Sequence, residues 1–152
     1  VLDLTKGYWQ IPMRNEDKTF TAFVTHSGHF QWKVMPFGLK NAGSTFQRSM
    51  DNVLARHKNY CRSYIDDVAI FSESWTDHIF HISQVLLTLR GAGLTINLKK
   101  CDFGRCHVKF LGHIIGSGKH TPDPEKGEAI HSIARPSTKN EVRSLLGLAS
   151  YL

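Results

Sequence analysis

A chain of 152 residues that is 41% hydrophobic has enough length for one core of ordinary size, and too much apolar content to stay disordered. No run approaches the ~20 apolar residues of a spanning helix and no charged-then-apolar leader opens the sequence, so no membrane partner is expected. Three cysteines, an odd number, argue against a secreted disulfide scaffold and for a reducing, intracellular setting; the net charge of +6 suits either a polyanionic partner or solubility alone.

Val1-Leu2-Asp3-Leu4 reads as a buried strand carrying one charge, which is costly there unless the carboxylate is paired or binds a metal. Gly7 breaks the strand. From Thr19 to Val34 aromatic and β-branched residues recur, and Ser27-Gly28 between the halves marks a hairpin, read as an insert beside the main core. Met35-Pro36-Phe37-Gly38-Leu39 is a loop. Asn41 or Ser44 caps the helix that follows, with Phe46, Met50, Val53 and Leu54 on its core face.

Next comes Cys61 to Ser72, read as strand, tight turn and strand, with Asp66-Asp67 at the turn. Taken alone, the doublet is an ordinary solvated turn. A second helix over 76–90 directs Ile79, Ile82, Val85, Leu86 and Leu89 to one face. His78 and His81, one turn apart, are a polar edge of that helix in preference to a metal pair. Gly91-Ala92-Gly93 ends it, and a short strand over 94–98 precedes Lys99-Lys100. Cys101, Cys106 and His107 form at most half of a zinc site, and the second half is missing from the sequence. Phe110 to Gly116 is a further hairpin, closed by the loop Gly116-Ser117-Gly118. After Pro122-Asp123-Pro124 the composition shifts to a short helix over 125–133, a break at Pro136, and a helix capped by Ser137-Thr138 that runs from Lys139 past Leu148.

With the insert set aside, the order is β-α-β-β-α-β, an α+β chain of the split-βαβ (ferredoxin-like) kind. That arrangement lays the first strand beside the central hairpin and brings Asp3 to Asp66 and Asp67. Three carboxylates in an apolar sheet repel one another unless a cation intervenes. Hard ions such as Mg²⁺ take oxygen ligands, and a pair of them about 3.5–4 Å apart performs phosphoryl and nucleotidyl transfer.

Five blocks then occur in order: Leu2-Asp3-Leu4-x-x-Gly7-Tyr8, Met35-Pro36-Phe37-Gly38-Leu39-Lys40-Asn41-Ala42, Tyr64-Ile65-Asp66-Asp67, Phe110-Leu111-Gly112-His113 and Leu145-Leu146-Gly147-Leu148. Together they resemble the reverse transcriptases of Ty3/gypsy-like long-terminal-repeat retrotransposons, over essentially the whole chain. The resemblance implies a polymerase palm over 1–121 with a partial fingers insert at about 11–35, and the start of a helical thumb over 122–152. It implies Asp3, Asp66 and Asp67 as the catalytic, metal-binding carboxylates for two Mg²⁺ ions, with Mn²⁺ as a substitute. Leu4, Tyr8, Phe37 and Gly38 would surround the incoming nucleotide, Tyr8 as the ring that excludes a ribose 2′-hydroxyl. Lys100 would protonate the pyrophosphate leaving group. Tyr64 would touch the primer end, and Phe110, Leu111, Gly112 and His113 would form the primer grip. Read without the resemblance, Tyr8 is a core aromatic and Lys100 half of a solvated lysine pair.

The partners implied are an RNA or DNA template with its primer, deoxynucleoside triphosphates, and the remainder of a retroelement polyprotein, in a cytoplasmic particle or the nucleus. The opening on Val1 and the close in mid-helix lead us to expect a fragment, lacking the first half of the fingers and most of the thumb. Gly43, Arg62, Ser63 and Gly127 depart from the family pattern, the arginine at a position expected to be buried. The alternative is a catalytically inactive relic that keeps the fold and binds nucleic acid; an RNA-templated RNA polymerase shares the palm but has no use for a bulky Tyr8.

Overall fold

Alternation in the first four residues sends Leu2 and Leu4 into the core, each 1% exposed, and leaves Asp3 between them half-buried. These residues open a computed structural model that describes residues 1–124 and 135–149. The chain forms two compact units, Val1–Phe103 and Gly104–Leu152.

In the first unit, β1 (Leu2–Asp3), β4 (Cys61–Tyr64) and β5 (Asp67–Ile70) make an antiparallel sheet in the order β1-β5-β4. Its register pairs Leu2 with Val68 and Asp3 with Asp67 on one side, and Cys61 with Ile70 through Tyr64 with Asp67 on the other. Helices α1 (Ala42–Val53) and α2 (Trp75–Gly91) close over this sheet. Phe46 and Met50 from the first helix, Leu54 just past its end, and Val85 and Leu89 from the second helix meet Leu2, Leu4 and Val68 in one apolar core. Burying a side chain of this size stabilises the fold by about 1.5–3 kcal/mol. Asn41 holds the N-cap position of α1 without a side-chain cap bond, and Ser44 Oγ donates to the Asn41 carbonyl at 3.1 Å. Ser74 caps α2, accepting from the Asp77 N–H.

Several expected elements differ. Residues 94–98 make a single antiparallel bridge, Ile96 to Leu4, followed by a 3-10 turn, Leu98–Lys100. The Gln10 carboxamide explains why no strand extends there: its Oε1 accepts from the Thr95 N–H at 2.7 Å and its Nε2 donates to the Thr5 carbonyl at 2.6 Å, standing between the two groups that the next ladder bond would join. The insert is narrower than expected, with β2 (Phe23–Thr25) and β3 (Gly28–Phe30) joined at His26-Ser27. Residues 19–21 belong to the preceding 3-10 helix, Asn15–Thr21, where Thr21 Oγ1 donates to the Lys18 carbonyl. Ile79, expected in the core, is 50% exposed because the face of α2 that packs is centred on Val85 and Leu89.

The second unit holds an antiparallel sheet of β6 (His107–Phe110), β7 (His113–Gly116) and β8 (Lys119–Pro122), one strand more than the expected hairpin. Ser117 and Gly118, with φ of 49° and 71°, turn β7 into β8 in the manner of a two-residue hairpin loop. The compact units divide at residue 103/104, and within the second unit β8 is paired to β7 while the Asp123 N–H donates to the Gly112 carbonyl. Helix α3 (Lys139–Ala149) starts on a capping box, with Thr138 Oγ1 accepting from the Glu141 N–H and Glu141 Oε2 accepting from the Ser137 and Thr138 N–H groups. These bonds hold the Glu141 carboxyl below its ordinary range. The helix expected over 125–133, with Gly127, lies outside the described residues. Among the described residues no helix is long and apolar enough to cross a membrane.

Candidate active site

Antiparallel pairing sets Asp3 directly across from Asp67, and Asp66 sits at the adjoining turn. The Leu4 N–H donates to the Asp66 carbonyl at 3.1 Å, so the residue after Asp3 is tied to the doublet by backbone. Behind the turn, Gly7 comes so close that a Cβ there would lie 3.1 Å from Asp66 Cβ and 3.3 Å from the Phe46 ring. Only a residue without a side chain fits unforced in that gap. Ile65, a β-branched residue, has φ +51°. Its N–H donates to Gln47 Oε1 at 2.7 Å, while Gln47 Nε2 donates to the Ser63 carbonyl at 3.0 Å and to Asp51 Oδ1 at 2.9 Å. Nothing in the sequence singled out Gln47; its only signal is a polar residue beside core Phe46.

The charges at this turn are only partly balanced. Burial pushes the Asp67 carboxyl above its ordinary range, and the Asp66 and Asp3 charges push the same way against Lys100. Lys100 Nζ is 3.7 Å from Asp3 Oδ2, with the lysine side chain 67% exposed and the aspartate 21%. The Asp3 N–H is turned toward Cys101 Sγ at 3.4 Å, and that thiol donates to the Asn97 carbonyl.

Among the described residues, no three His, Cys, Asp or Glu side chains already converge as an ion would draw them. The donor set still suits a hard divalent ion. It consists of carboxylate oxygens alone, and two of the three charges raise the pKa of the third, a repulsion that a cation relieves.

Tyr8 packs between two rings, Phe37 at 5.3 Å and Phe46 at 5.5 Å between centroids. A Cβ at Gly43 would meet the Tyr8 hydroxyl at 3.4 Å, an ordinary contact, so the departure at 43 has no steric explanation. Phe37 is 67% exposed and Gly38 turns with φ +90°. Leu4 is buried, and both its side chain and its N–H serve the fold. Tyr64 is exposed opposite Asp67. Arg62 is not buried: it lies on the surface, its guanidinium donating to the Lys58 and Cys61 carbonyls and resting over Phe71 at 5.7 Å. Ser63 is held by Gln47.

Phe110, Leu111, Gly112 and His113 form the β6–β7 turn in the second unit, with Leu111 and Gly112 at φ 52° and 77°. His113 Nδ1 is buried there with no hydrogen-bond partner among the described residues, and the His113 and His120 rings meet edge-on at 5.9 Å. His78 and His81 both hydrogen-bond Ser72 Oγ, as a polar edge does.

The model of the reverse transcriptase (RNA-dependent DNA polymerase) family matches residues 1–115. The chain is 44% identical over 151 residues to the retrovirus-related Pol polyprotein from transposon 297 of Drosophila melanogaster, covering 99% of this chain and 14% of that protein. Against the gypsy polyprotein of the same organism the identity is 42%, covering 99% and 15%. The enzymatic polyprotein of Figwort mosaic virus (strain DxS) is 38% identical over 150 residues, covering 98% and 22%.

Among solved structures, the foamy viral protease-reverse transcriptase dRH in complex with double-stranded DNA superposes with a TM-score of 0.91 at 28% identity, over 99% of this chain and 26% of that one. The same viral enzyme in complex with an RNA/DNA hybrid gives 0.86 at 28% identity, over 99% and 20%. The mixed helices and sheets are thus those of the reverse transcriptase fold. The chain belongs to the reverse transcriptase family and spans 14% to 22% of the length of these curated relatives.

Proposed function

We propose that this segment is the palm of an RNA-directed DNA polymerase, a split-βαβ sheet with a partial fingers insert at about 11–35 and a thumb beginning at 122. The observation that carries the reading is the register of Asp3 on Asp67 with Asp66 at the adjoining turn. In this reading Asp3, Asp66 and Asp67 hold two Mg²⁺ ions, or Mn²⁺ in their place. Bound there, the ions supply activation of a primer 3′-oxygen and neutralisation of the departing pyrophosphate.

The chain's own residues do the rest. Tyr8, wedged by Phe37 and Phe46, excludes a 2′-hydroxyl by bulk alone, and the exposed Phe37 offers its face to the incoming base pair. Lys100, held near Asp3 and largely solvated, stands ready to donate a proton to the leaving group. Tyr64 contacts the end of the primer, and Phe110 to His113 grip its backbone. The substrates are deoxynucleoside triphosphates and a primed RNA or DNA template, read by base pairing, and contacts to nucleic acid are therefore to backbone and shape. That the foamy viral relatives were captured with double-stranded DNA and with an RNA/DNA hybrid supports this choice of partner. The remainder of a polyprotein would supply the rest of the fingers and of the thumb.

The test is primer extension on an RNA template by the full-length polymerase that carries this segment. Wild type extends the primer with Mg²⁺ and Asp66→Asn does not; extension by the mutant would sink the metal assignment. Tyr8→Val admits ribonucleotides, and unchanged sugar discrimination counts against the gate. A readout independent of activity is thermal unfolding. Mg²⁺ raises the midpoint of wild type and leaves that of Asp67→Asn unmoved, whereas the mutant without metal is the more stable, since it lacks the repelled charge. An inactive wild type that shows no Mg²⁺ response is a relic.

A further inference from the structure

A seam of polar side chains joins α2 to the base of the aspartate hairpin, away from the carboxylates themselves. Thr88, His81 and His78 lie on one side of α2, at spacings of seven and three residues. Facing them are His57 and Tyr60, just before β4, and Ser72, just after β5. The contacts alternate between the two sides. Thr88 Oγ1 meets His57 Nε2 at 2.7 Å, and His57 Nδ1 meets Tyr60 Oη at 2.6 Å. The Tyr60 ring stacks on His81 at 3.7 Å with 6° between the planes. His81 Nδ1 meets Ser72 Oγ at 2.7 Å, and Ser72 Oγ meets His78 Nδ1 at 3.2 Å. A hydroxyl has one proton and two lone pairs, so Ser72 can serve both imidazoles at once.

His81 thus touches both ends of the hairpin, Tyr60 entering and Ser72 leaving. Those ends are themselves joined, since the Phe71 N–H donates to the Tyr60 carbonyl at 3.0 Å. The hairpin needs such a tether. Its outer strand, β4, is the edge of the sheet, and its inner strand is flanked by β1 over only two paired positions. Asp66 and Asp67 sit at the far end, four residues and roughly 13 Å from the root. A few degrees of rocking at the root is a carboxylate displacement at the tip.

We propose that His81 is a positioning residue for nucleotidyl transfer, clamping the root of the hairpin through Tyr60 and Ser72 so that Asp66 and Asp67 are held in register with Asp3. This deepens the polymerase reading and rests on it. His81 touches neither substrate nor metal; it acts through the strand pair. The clamp has two parts, a stacked face and a hydrogen bond, and they separate by substitution. His81→Phe keeps the stack and loses the bond to Ser72, and His81→Ala loses both. Ser72→Ala removes the bond from the other side.

The experiment is steady-state primer extension by the full-length polymerase carrying each variant, with thermal midpoints measured in parallel. His81→Ala lowers kcat by about tenfold or more, the scale of loss expected when a distant change misplaces reacting groups. It also raises the Mg²⁺ concentration for half-maximal rate, while KM for the deoxynucleotide and for primer-template stay near wild type. His81→Phe and Ser72→Ala each lose less, and the double variant loses no more than Ser72→Ala alone, because the bond that His81→Phe removes is one that Ser72→Ala already removes.

Leu94→Ala, a core change on the same unit, serves as the control for stability alone. If its effect on kcat and on Mg²⁺ dependence, at matched loss of thermal midpoint, equals that of His81→Ala, the positioning role is overturned. A folded His81→Ala with wild-type kcat overturns it directly. An inactive wild type overturns the polymerase reading and this inference together, whereas an active wild type with an indifferent His81 overturns only the inference.

Discussion

Two hairpin tips among the described residues enter the left-handed region on an apolar residue, and they are held there by different means. At the β6–β7 tip Leu111 is followed by Gly112, which takes the second positive φ without penalty. At the β4–β5 tip Ile65 has φ +51° and is followed by an aspartate. A left-handed conformation costs an L-residue about 1–2 kcal/mol, and a β-branched side chain is poorly suited to it. That tip is secured from outside: Gln47 takes the Ile65 N–H, the Leu4 N–H takes the Asp66 carbonyl, and the Gly7 backbone abuts Asp66. Strain held in place by surrounding contacts is the mark of a position chosen for what it presents rather than for its own stability. The turn built from cheap residues can be read as a turn; the turn built against its own preference asks what it is for.

The comparison breaks hardest at Phe46. Its ring is fully buried, lies under Gly7 and touches Tyr8. Phe46→Ala should cost about 3–5 kcal/mol as the cavity opens, measured as a fall in urea midpoint. Amide exchange should show the protection of the β4–β5 hairpin lost together with that of α1. Next is Gln47→Ala, which leaves the half-buried Ile65 N–H without its acceptor. A loss of about 1–3 kcal/mol is expected, with exchange at Ile65 accelerated ahead of global unfolding; unaltered protection there would mean that Gln47 does not secure the tip.

Smaller changes sharpen the contrast by sign. Gly112→Ala places a Cβ at φ 77° and should destabilise by about 1 kcal/mol. Ile65→Leu keeps the apolar volume and removes the β-branch at the strained position, so its midpoint should not fall. A loss in Ile65→Leu equal to that in Gly112→Ala would show that branching is not the source of strain.

How much of this was legible follows from where the information resides. The meeting of Asp3 with Asp66-Asp67 could be expected because it needs only an alternating strand, an apolar-flanked turn and a known order of elements. The roles of Gln10 and Gln47 could not, because each acts on a backbone group far along the chain, and no periodicity marks a glutamine whose partner is a distant N–H. Strand β8 escaped for the opposite reason: Lys119, His120, Thr121 and Pro122 are all exposed and carry no apolar alternation, so only the turn at Ser117-Gly118 hinted at a return. Arg62 misled because the family pattern has apolar residues leading into the aspartate hairpin, yet it stands on the edge strand, where its guanidinium reaches the surface.

The least of the expected effects concerns pH and falls on the root of the first hairpin. Burial holds the His57 imidazole below its ordinary value of 6.5, and the neighbouring Arg56 and His81 act in the same direction. The unfolded chain therefore takes up this proton before the folded chain does. Stability from neutral His57 is fully present above 6.5, declines as the pH falls from there toward the lower folded value, and levels off below it. Urea midpoints of wild type should fall between neutral and mildly acidic pH, and those of His57→Gln should fall less. The β6–β7 hairpin contains no part of this network, so amide exchange at Leu111 and Gly112 should not follow the same pH course as exchange at Tyr60 and Phe71. If both hairpins loosen together on acidification, the pH response belongs to the whole chain, and the seam at Tyr60 and Ser72 has no stability of its own to lose.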